Sequence, residues 1–509
     1  MPSKFARNRA DLIETWGSGA PREASVPEES WANLIQKLGG EMAFRRAMLI
    51  NEEGAIATLK NPGRMPLRCI IMGAGGRDFH DFQMFFRERP EFRVVAFTAT
   101  QIPFIEDRAF PRELAGPTYD ADIPIFPEER LAQLIRRLEV DLVFLAYSDL
   151  AHEEVMHKAS LVQATGAGFA FLGPRLTQLR SHRPVISVTA VRTGSGKSPL
   201  AQALARYLRD NGRRIAVLRH PMPYGDLGKE RCLRYATKSD LDLYDCTIEE
   251  REEFEPYIDA GIAVFAGVDY AAILSEAERE ADVVLWDGGN NDYPFIHPDL
   301  SIVVLDALRP GHETTFYPGE TNLRAADVLV INKVSSATPE ALVQIRRNVA
   351  ELNPRATVIE ADLQVTMDNA ASISGRRVIV VEDGPTLTHG GMSFGAGMVA
   401  ARSAGAQIID PRPFAVGTIA EAYRHYLHIG AVLPALGYSD SQRAELEETL
   451  RRSNAAAIVD GSPARLDRIV HLDIPIVRVH YRFQQISGPS IFSVVDESLA
   501  LRQDSRSNG

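Results

Sequence analysis

The sequence predicts an α/β protein built mostly on parallel sheets, and three observations carry that expectation. From Leu67 onward, short apolar runs of strand length alternate with stretches of helical periodicity. From Val185 to Gly212 the run VISVTAVRTGSGKSPLAQALARYLRDNG places Gly-Lys-Ser between an apolar strand and an amphipathic helix. About ninety residues further on, ADVVLWDGGNND is an apolar strand ending in Asp287. The 509 residues, 45% hydrophobic and 24% charged, suffice for roughly two to four domains. A net charge of −11 argues against a partner dominated by nucleic-acid phosphates. No apolar run nears the roughly 20 residues of a membrane helix and the N-terminus has no signal core, so neither a membrane nor export is expected and a cytoplasmic address is. Cys69, Cys232 and Cys246 match no metal or redox spacing and are read as small buried hydrophobes.

Residues 1–66 form an appendage, partly helical on the spacing of Leu34, Leu38 and Met42. In 67–182, RCIIMGAGG, FRVVAFTAT and DLVFLAY are strands with helices between and after them, a Rossmann-like doubly wound unit. In 183–394 a second series runs through RRIAVLR, GIAVFAG, ADVVLWDGG, LSIVVLDA, ADVLVINK, ATVIEADL and GRRVIVVED, a mostly parallel sheet. Residues 395–509 carry helices and the short strands AAAIVDGS and IPIVRVHYRF before a polar tail, an α/β C-terminal extension.

The loop is the strongest chemical signal. Gly194 and Gly196 can take the positive φ that turns backbone N–H groups toward an oxyanion, Lys197 can bridge β- and γ-phosphates, and the Ser198 hydroxyl can ligate Mg²⁺. Thr193 and Ser195 complete the cradle, and Pro199 fits the first helical turn. Val191 stands where the usual motif has glycine. Arg192 to Ser198 resembles the variant loop of the dimeric signal-recognition, MinD and dethiobiotin-synthetase class, with Arg192 in the signature position; the resemblance implies that Arg192 acts on a bound phosphate, and a homodimer. Asp287 has the form of the carboxylate that holds the Mg²⁺ shell in phosphate-loop NTPases.

Other strand ends add candidates. IAVLRHPMPYGDL offers Arg219 and His220 as acceptor contacts and Asp226 as a metal or base carboxylate. In ADVLVINKVSSA, Asn332 and Lys333 resemble the start of a guanine-reading motif, but Ser335 stands where its aspartate belongs, which favours ATP over GTP. The glycine-rich run from Gly384 to Gly397, with His389, Gly390 and Gly391, reads as a wrap for an anionic substrate or as an exposed connector. In GAGGRDFHDF, Gly73, Gly75, Gly76 and Arg77 could hold a phosphorylated small molecule at a helix start, with a purely structural turn as the alternative. NAD is disfavoured, because no acidic residue ends FRVVAFTAT.

Taken together, IIMGAGGRDFHDF, VTAVRTGSGKS, LRHPMPYGDL, DGGNND, INKV, VVEDGPTLTHGGMSFGAG and VDGSPARLDRIV resemble the cyclic 2,3-diphosphoglycerate synthetases and their bacterial relatives, over about Arg68 to Phe483. That resemblance implies a Rossmann-like domain ahead of a phosphate-loop NTPase domain and an ATP- and Mg²⁺-dependent ligase acting on a small phosphorylated acid. The γ-phosphate would activate one substrate phosphate, the other would close an intramolecular anhydride, and ADP and phosphate would leave. The alternatives are a nucleotide-switch or metallochaperone-type GTPase, and a ligase or kinase acting on another small anionic acid.

Overall fold

Strands β1 (Leu67–Met72), β2 (Phe92–Ala99), β3 (Ala109–Phe110), β4 (Ile123–Pro127), β5 (Leu142–Leu145) and, after the two-residue β6 (Leu150–Ala151), β7 (Gly168–Ala170) realise the first series of apolar runs. All but β6 form a six-stranded sheet in the order β3-β4-β2-β1-β5-β7, with β4–β2, β1–β5 and β5–β7 parallel and β3–β4 antiparallel. Helices on its faces leave β1 buried on both sides, which is why that strand reads as continuously apolar. Beside β2 the side chains of Phe79, Phe82, Phe97 and Phe110 pack edge-on and tilted at centroid distances of 4.8–5.9 Å.

The computed structural model describes residues 66–73, 76–100, 108–219, 227–289, 292–388, 390–436, 440–463 and 466–507. The chain divides into two units, Met1–Leu67 and Arg68–Gly509, and apart from Leu67 at the start of β1 all the described strands belong to the second. The helical spacing expected at Leu34, Leu38 and Met42, and the candidates Gly75, His220, Asp226 and His389, lie outside the described residues. Among the described residues no helix is long and apolar enough to cross a membrane.

The later runs become β8 (Val185–Ala190), β9 (Ile215–Arg219), β10 (Leu233–Tyr235), β11 (Ala263–Ala266), β12 (Val283–Asp287), β13 (Leu300–Asp306), β14 (Phe316–Tyr317), β15 (Val328–Asn332), β16 (Thr357–Met367), β17 (Arg377–Asp383), β18 (Gln407–Ile408), β19 (Leu433–Ala435), β20 (Ala457–Gly461) and β21 (Ile476–Ser487). All except β14 belong to one 13-stranded sheet, ordered β10-β11-β9-β12-β8-β13-β15-β16-β21-β20-β17-β18, with β19 beside β17. β14 instead pairs antiparallel with β6, a ribbon that ties the two sheets' connections together.

The pairing moves one expected boundary. A break at 394 leaves β17 with the strands before it, yet β17 pairs in parallel with β18, β19 and β20. The C-terminal group therefore starts at Arg377, because an apolar run does not state which neighbour it will meet. β21 joins the halves, lying parallel to β20 at one end and antiparallel to β16 at the other. Nor does the C-terminal segment stand apart. The helix Ile491–Ser507 returns to the first half, where Ile491, Val495 and Leu499 share a core with Leu200, Leu204 and Leu208 of the helix Lys197–Asp210. Cys69 is buried, and Cys232 and Cys246 are half-buried free thiols.

Candidate functional site

β8 hands the chain to a loop whose Gly194 and Gly196 take φ of 78° and 99°. At Gly196 a Cβ would lie 2.2 Å from Asn332 Nδ2, so glycine is needed for space as well as for conformation. The loop carbonyls are pinned from outside. Asn332 Nδ2 donates to the Ser195 carbonyl at 2.8 Å, Lys333 Nζ to the Gly194 carbonyl at 2.7 Å, and Arg309 Nη2 to the Thr193 carbonyl at 2.7 Å. With its carbonyls held outward, a tight loop turns N–H groups inward, and no side chain caps the helix that starts at Lys197. That is the arrangement an oxyanion fits. Asn332 and Lys333, expected against a purine, are thus braces of the loop. Lys333 Nζ also pairs with the buried Asp306 at 2.7 Å.

Arg192 is held inside its own chain. Its Nε donates to Asp149 Oδ1 at 2.6 Å, its guanidinium lies 3.6 Å over the Phe316 ring, and its Nη1 meets His312 Nδ1 at 2.8 Å. Burial, reinforced by Arg192 and Arg309, depresses His312 to about 4 and leaves it a neutral acceptor. Asp149 Oδ2 also accepts the Thr193 N–H at 3.2 Å, so a residue following β5 of the first sheet helps shape the loop.

The second centre is Asp287 at the end of β12, fully buried beside β8 and β9. Lys197 Nζ contacts its Oδ1 at 2.7 Å, while Tyr257 Oη donates to its Oδ2 at 2.7 Å and Arg219 Nη1 pairs with the same oxygen. Arg219 pairs in turn with Glu253. Burial alone would raise the Asp287 pKa, but Arg219 and Lys197 outweigh it and hold the carboxylate at about 2. Burial also lowers the Lys197 ammonium below its usual range, with Asp287 opposing. Arg219, read from sequence as an acceptor contact, is 1% exposed, pairs with Asp287 and also lines the cavity onto which the loop opens. The Ser198 hydroxyl and the Asp287 carboxylate are oxygen donors of the kind Mg²⁺ takes alongside phosphates, so the residues fit that ion.

The loop opens on a cavity of about 930 Å³ whose far wall is the C-terminal group of strands. Glu382, at the end of β17, is 1% exposed and accepts N–H groups from Gly395 at 3.0 Å, Gly397 at 3.1 Å and Met398 at 2.7 Å. Burial outweighs those bonds and raises its pKa to about 7. Next to it, burial raises Asp383 despite hydrogen bonds from Thr386. Thr386 in turn crowds Gly194, where a Cβ would lie 2.9 Å from its methyl group. Gly390, in the glycine-rich run, accepts from Arg309 Nη1, which reaches Thr193 with its other terminal nitrogen. Asp362 lines the same cavity and accepts the Ser335 N–H at 3.0 Å.

Thr193 to Ser198, Arg219, Asp287, Asn332 and Lys333 therefore come together. Gly73, Gly76 and Arg77 do not join them. The Gly76 N–H donates to Asp78 Oδ1 at 2.6 Å, so that carboxylate occupies a donor expected to meet a phosphate. Arg77 is buried over Tyr293 at 3.2 Å and pairs with Asp81 at 3.5 Å. Sequence reasoning missed Asp149, Arg309, Glu253, Tyr257, Glu382 and Asp383. Only the last two left a signal, since IVVEDG ends in carboxylates before glycine as VVLWDGG does.

No protein-family model matches the chain. A tetraacyldisaccharide 4'-kinase of an Anaeromyxobacter species is 31% identical over 208 residues, 38% of this chain and 54% of the kinase. Among solved structures, LpxK of Aquifex aeolicus in complex with ATP aligns at 14% identity and a TM-score of 0.37, over 72% of this chain and 99% of that one. The arginine synthetase ArcE of Thermococcus kodakarensis is 54% identical over 431 residues, which is 84% of this chain and 96% of ArcE. With more than half the residues identical across nearly all of that enzyme, the chain belongs to the family of the arginine synthetase ArcE.

Proposed function

We propose that the protein is an ATP-dependent ligase that makes arginine. The observation that carries this reading is the close likeness to an enzyme named arginine synthetase. The shared cavity supports it, with a phosphate cradle at one wall and the carboxylates Glu382 and Asp383 at the other. The guanidino carbon of arginine is bonded to nitrogen alone. Forming its last C–N bond from a ureido group requires the ureido oxygen to leave, and a phosphate makes it a good leaving group. The γ-phosphoryl of ATP passes to that oxygen, ammonia attacks the carbon, and the oxygen departs with the phosphate. ATP, a ureido amino acid and ammonia thus give arginine, ADP and phosphate.

Lys197 and the loop N–H groups hold the transferred phosphoryl group in place and match its charge. Arg219 and Tyr257 keep the Asp287 carboxylate ionised and oriented. Mg²⁺, taken by Ser198 and Asp287, would neutralise the β- and γ-phosphates. Glu382, poised at about 7, suits a group that accepts a proton from the added ammonia, and the growing cationic guanidinium suits a wall of carboxylates.

The test is incubation of purified protein with Mg-ATP, ammonium and a ureido amino acid, with arginine and ADP measured by mass spectrometry. Equal formation of both is expected, with a lower rate from GTP; ADP release without arginine would overturn the reading. A second reading, cyclisation of 2,3-diphosphoglycerate to a phosphoanhydride, is supported by Arg206, Arg478 and Arg482 on the cavity wall. A doubly phosphorylated acid carries about four negative charges, which Glu252, Glu253, Glu382 and Asp383 on that wall would repel. The same assay with that acid separates the two.

A further inference from the structure

A second cavity of about 730 Å³ lies beyond the first, and the two share Arg206, Glu252, Pro256, Pro463, Arg478 and His480 on their walls. They are two compartments of one cleft. Asp460 and Arg478 are neighbours in register across the parallel pair β20–β21, and both line the outer compartment. Arg478 Nη2 donates to the Pro463 carbonyl at 3.2 Å, but its Nη1 is buried with no hydrogen-bond partner. The Arg478 side chain as a whole is half-buried and lines both compartments, so a small rotation of its guanidinium brings the unpaired nitrogen to a ligand oxygen in the cleft. Asp460 is 1% exposed and accepts from the Ser462 N–H at 3.1 Å and the Leu466 N–H at 3.3 Å, which fix its position. A cation and an anion side by side at the end of a parallel sheet match a zwitterion.

We infer that this outer compartment holds the amino-acid end of the acceptor, with Arg478 taking its α-carboxylate and Asp460 facing its α-ammonium. The inference rests on the arginine reading. In that substrate the reacting carbon sits at the far end of a flexible chain, so head and reacting group need separate compartments. The shared wall at Arg206, Arg478 and His480 is where the side chain passes toward Lys197. The fork of Arg478 suits a carboxylate better than an ammonium group would.

The experiment is calorimetric titration of the ADP-bound protein with arginine, for the unaltered chain and for Arg478→Ala and Arg478→Lys. We expect Arg478→Ala to weaken arginine roughly 10- to 100-fold, Arg478→Lys to recover part of that, and ADP affinity to stay unchanged in both. Arginine binding as tight in Arg478→Ala as in the unaltered chain overturns the placement alone. No arginine binding and no ATP-dependent arginine formation by the unaltered chain overturns the functional reading and this inference with it. Should Arg478→Ala fail to fold, a crystal structure of the unaltered protein with ADP and arginine decides: the carboxylate on Arg478 supports the placement, and a carboxylate elsewhere ends it.

Discussion

At the carboxyl ends of β8, β9 and β12 the cleft is walled by backbone N–H groups and cations, whereas at the ends of β17 and β20 it is walled by carboxylates. Both halves use the open end of a parallel sheet, the place where strand ends and helix starts converge. They hold their charges differently. Asp287 is kept ionised at about 2 by Arg219 and Lys197, while Glu382, with backbone N–H groups as its hydrogen-bond donors, is lifted to about 7. Equal burial gives opposite shifts because a neighbouring full charge outweighs desolvation and a few amide dipoles do not. One half carries a carboxylate held permanently ionised, and the other a carboxylate that titrates near neutrality.

Substitutions on either side of the cleft should separate the two halves. The largest effect should come from Arg219→Ala, which leaves Asp287 buried with one cation fewer and so lowers stability by about 3–5 kcal/mol; denaturant midpoints measure it, and an unchanged midpoint would show that the buried pair adds nothing. Lys197→Ala should reduce turnover by about 10²–10³-fold, roughly 3–4 kcal/mol, while the fold persists. ADP release assayed at saturating ATP reads this directly.

On the carboxylate side the sign of the pH dependence reverses. The folded pKa of Glu382, about 7 against an ordinary 4.5, means that its contribution is fully present below 4.5 and lost as pH rises through 7. The whole shift corresponds to roughly 3 kcal/mol. Asp287 behaves oppositely, its contribution being present above about 3.8 and lost as pH falls toward 2. Melting temperatures of Glu382→Gln between pH 5 and pH 8 should therefore change less than those of the unaltered chain; parallel curves would remove Glu382 from the account. The smallest effect is expected for Gly196→Ala, where a φ of 99° and the approach to Asn332 cost about 1–3 kcal/mol. That strain should appear as weaker ATP binding, and normal affinity would mean that the loop tolerates a shift of Asn332.

The loop half was readable because its residues are contiguous: strand, Gly-Lys-Ser and helix fall within the stretch Val185 to Gly212. Asp287 was readable from its position at the end of an apolar strand. What surrounds them was not. Asp149, Tyr257 and Arg309 reach the loop or Asp287 from distant elements, and nothing in their local sequence marks them. Arg219 was found but its pairing with Asp287 was not, because a strand end does not reveal whether its side chain meets solvent, substrate or a buried carboxylate.

The sequence by itself determined the alternation of strands and helices, the glycine-rich loop before its helix and the carboxylate of β12, because each depends on residues adjacent in the chain or on a single strand's pattern. Only the tertiary structure decided that β17 joins β18 to β20, that β21 welds two groups of strands into one sheet, and that Glu382, Asp460 and Arg478 face the cleft opened by the loop. Strand pairing, ion pairing and burial link residues tens to hundreds of positions apart, and the free energy that selects them exists only once the chain has brought them together.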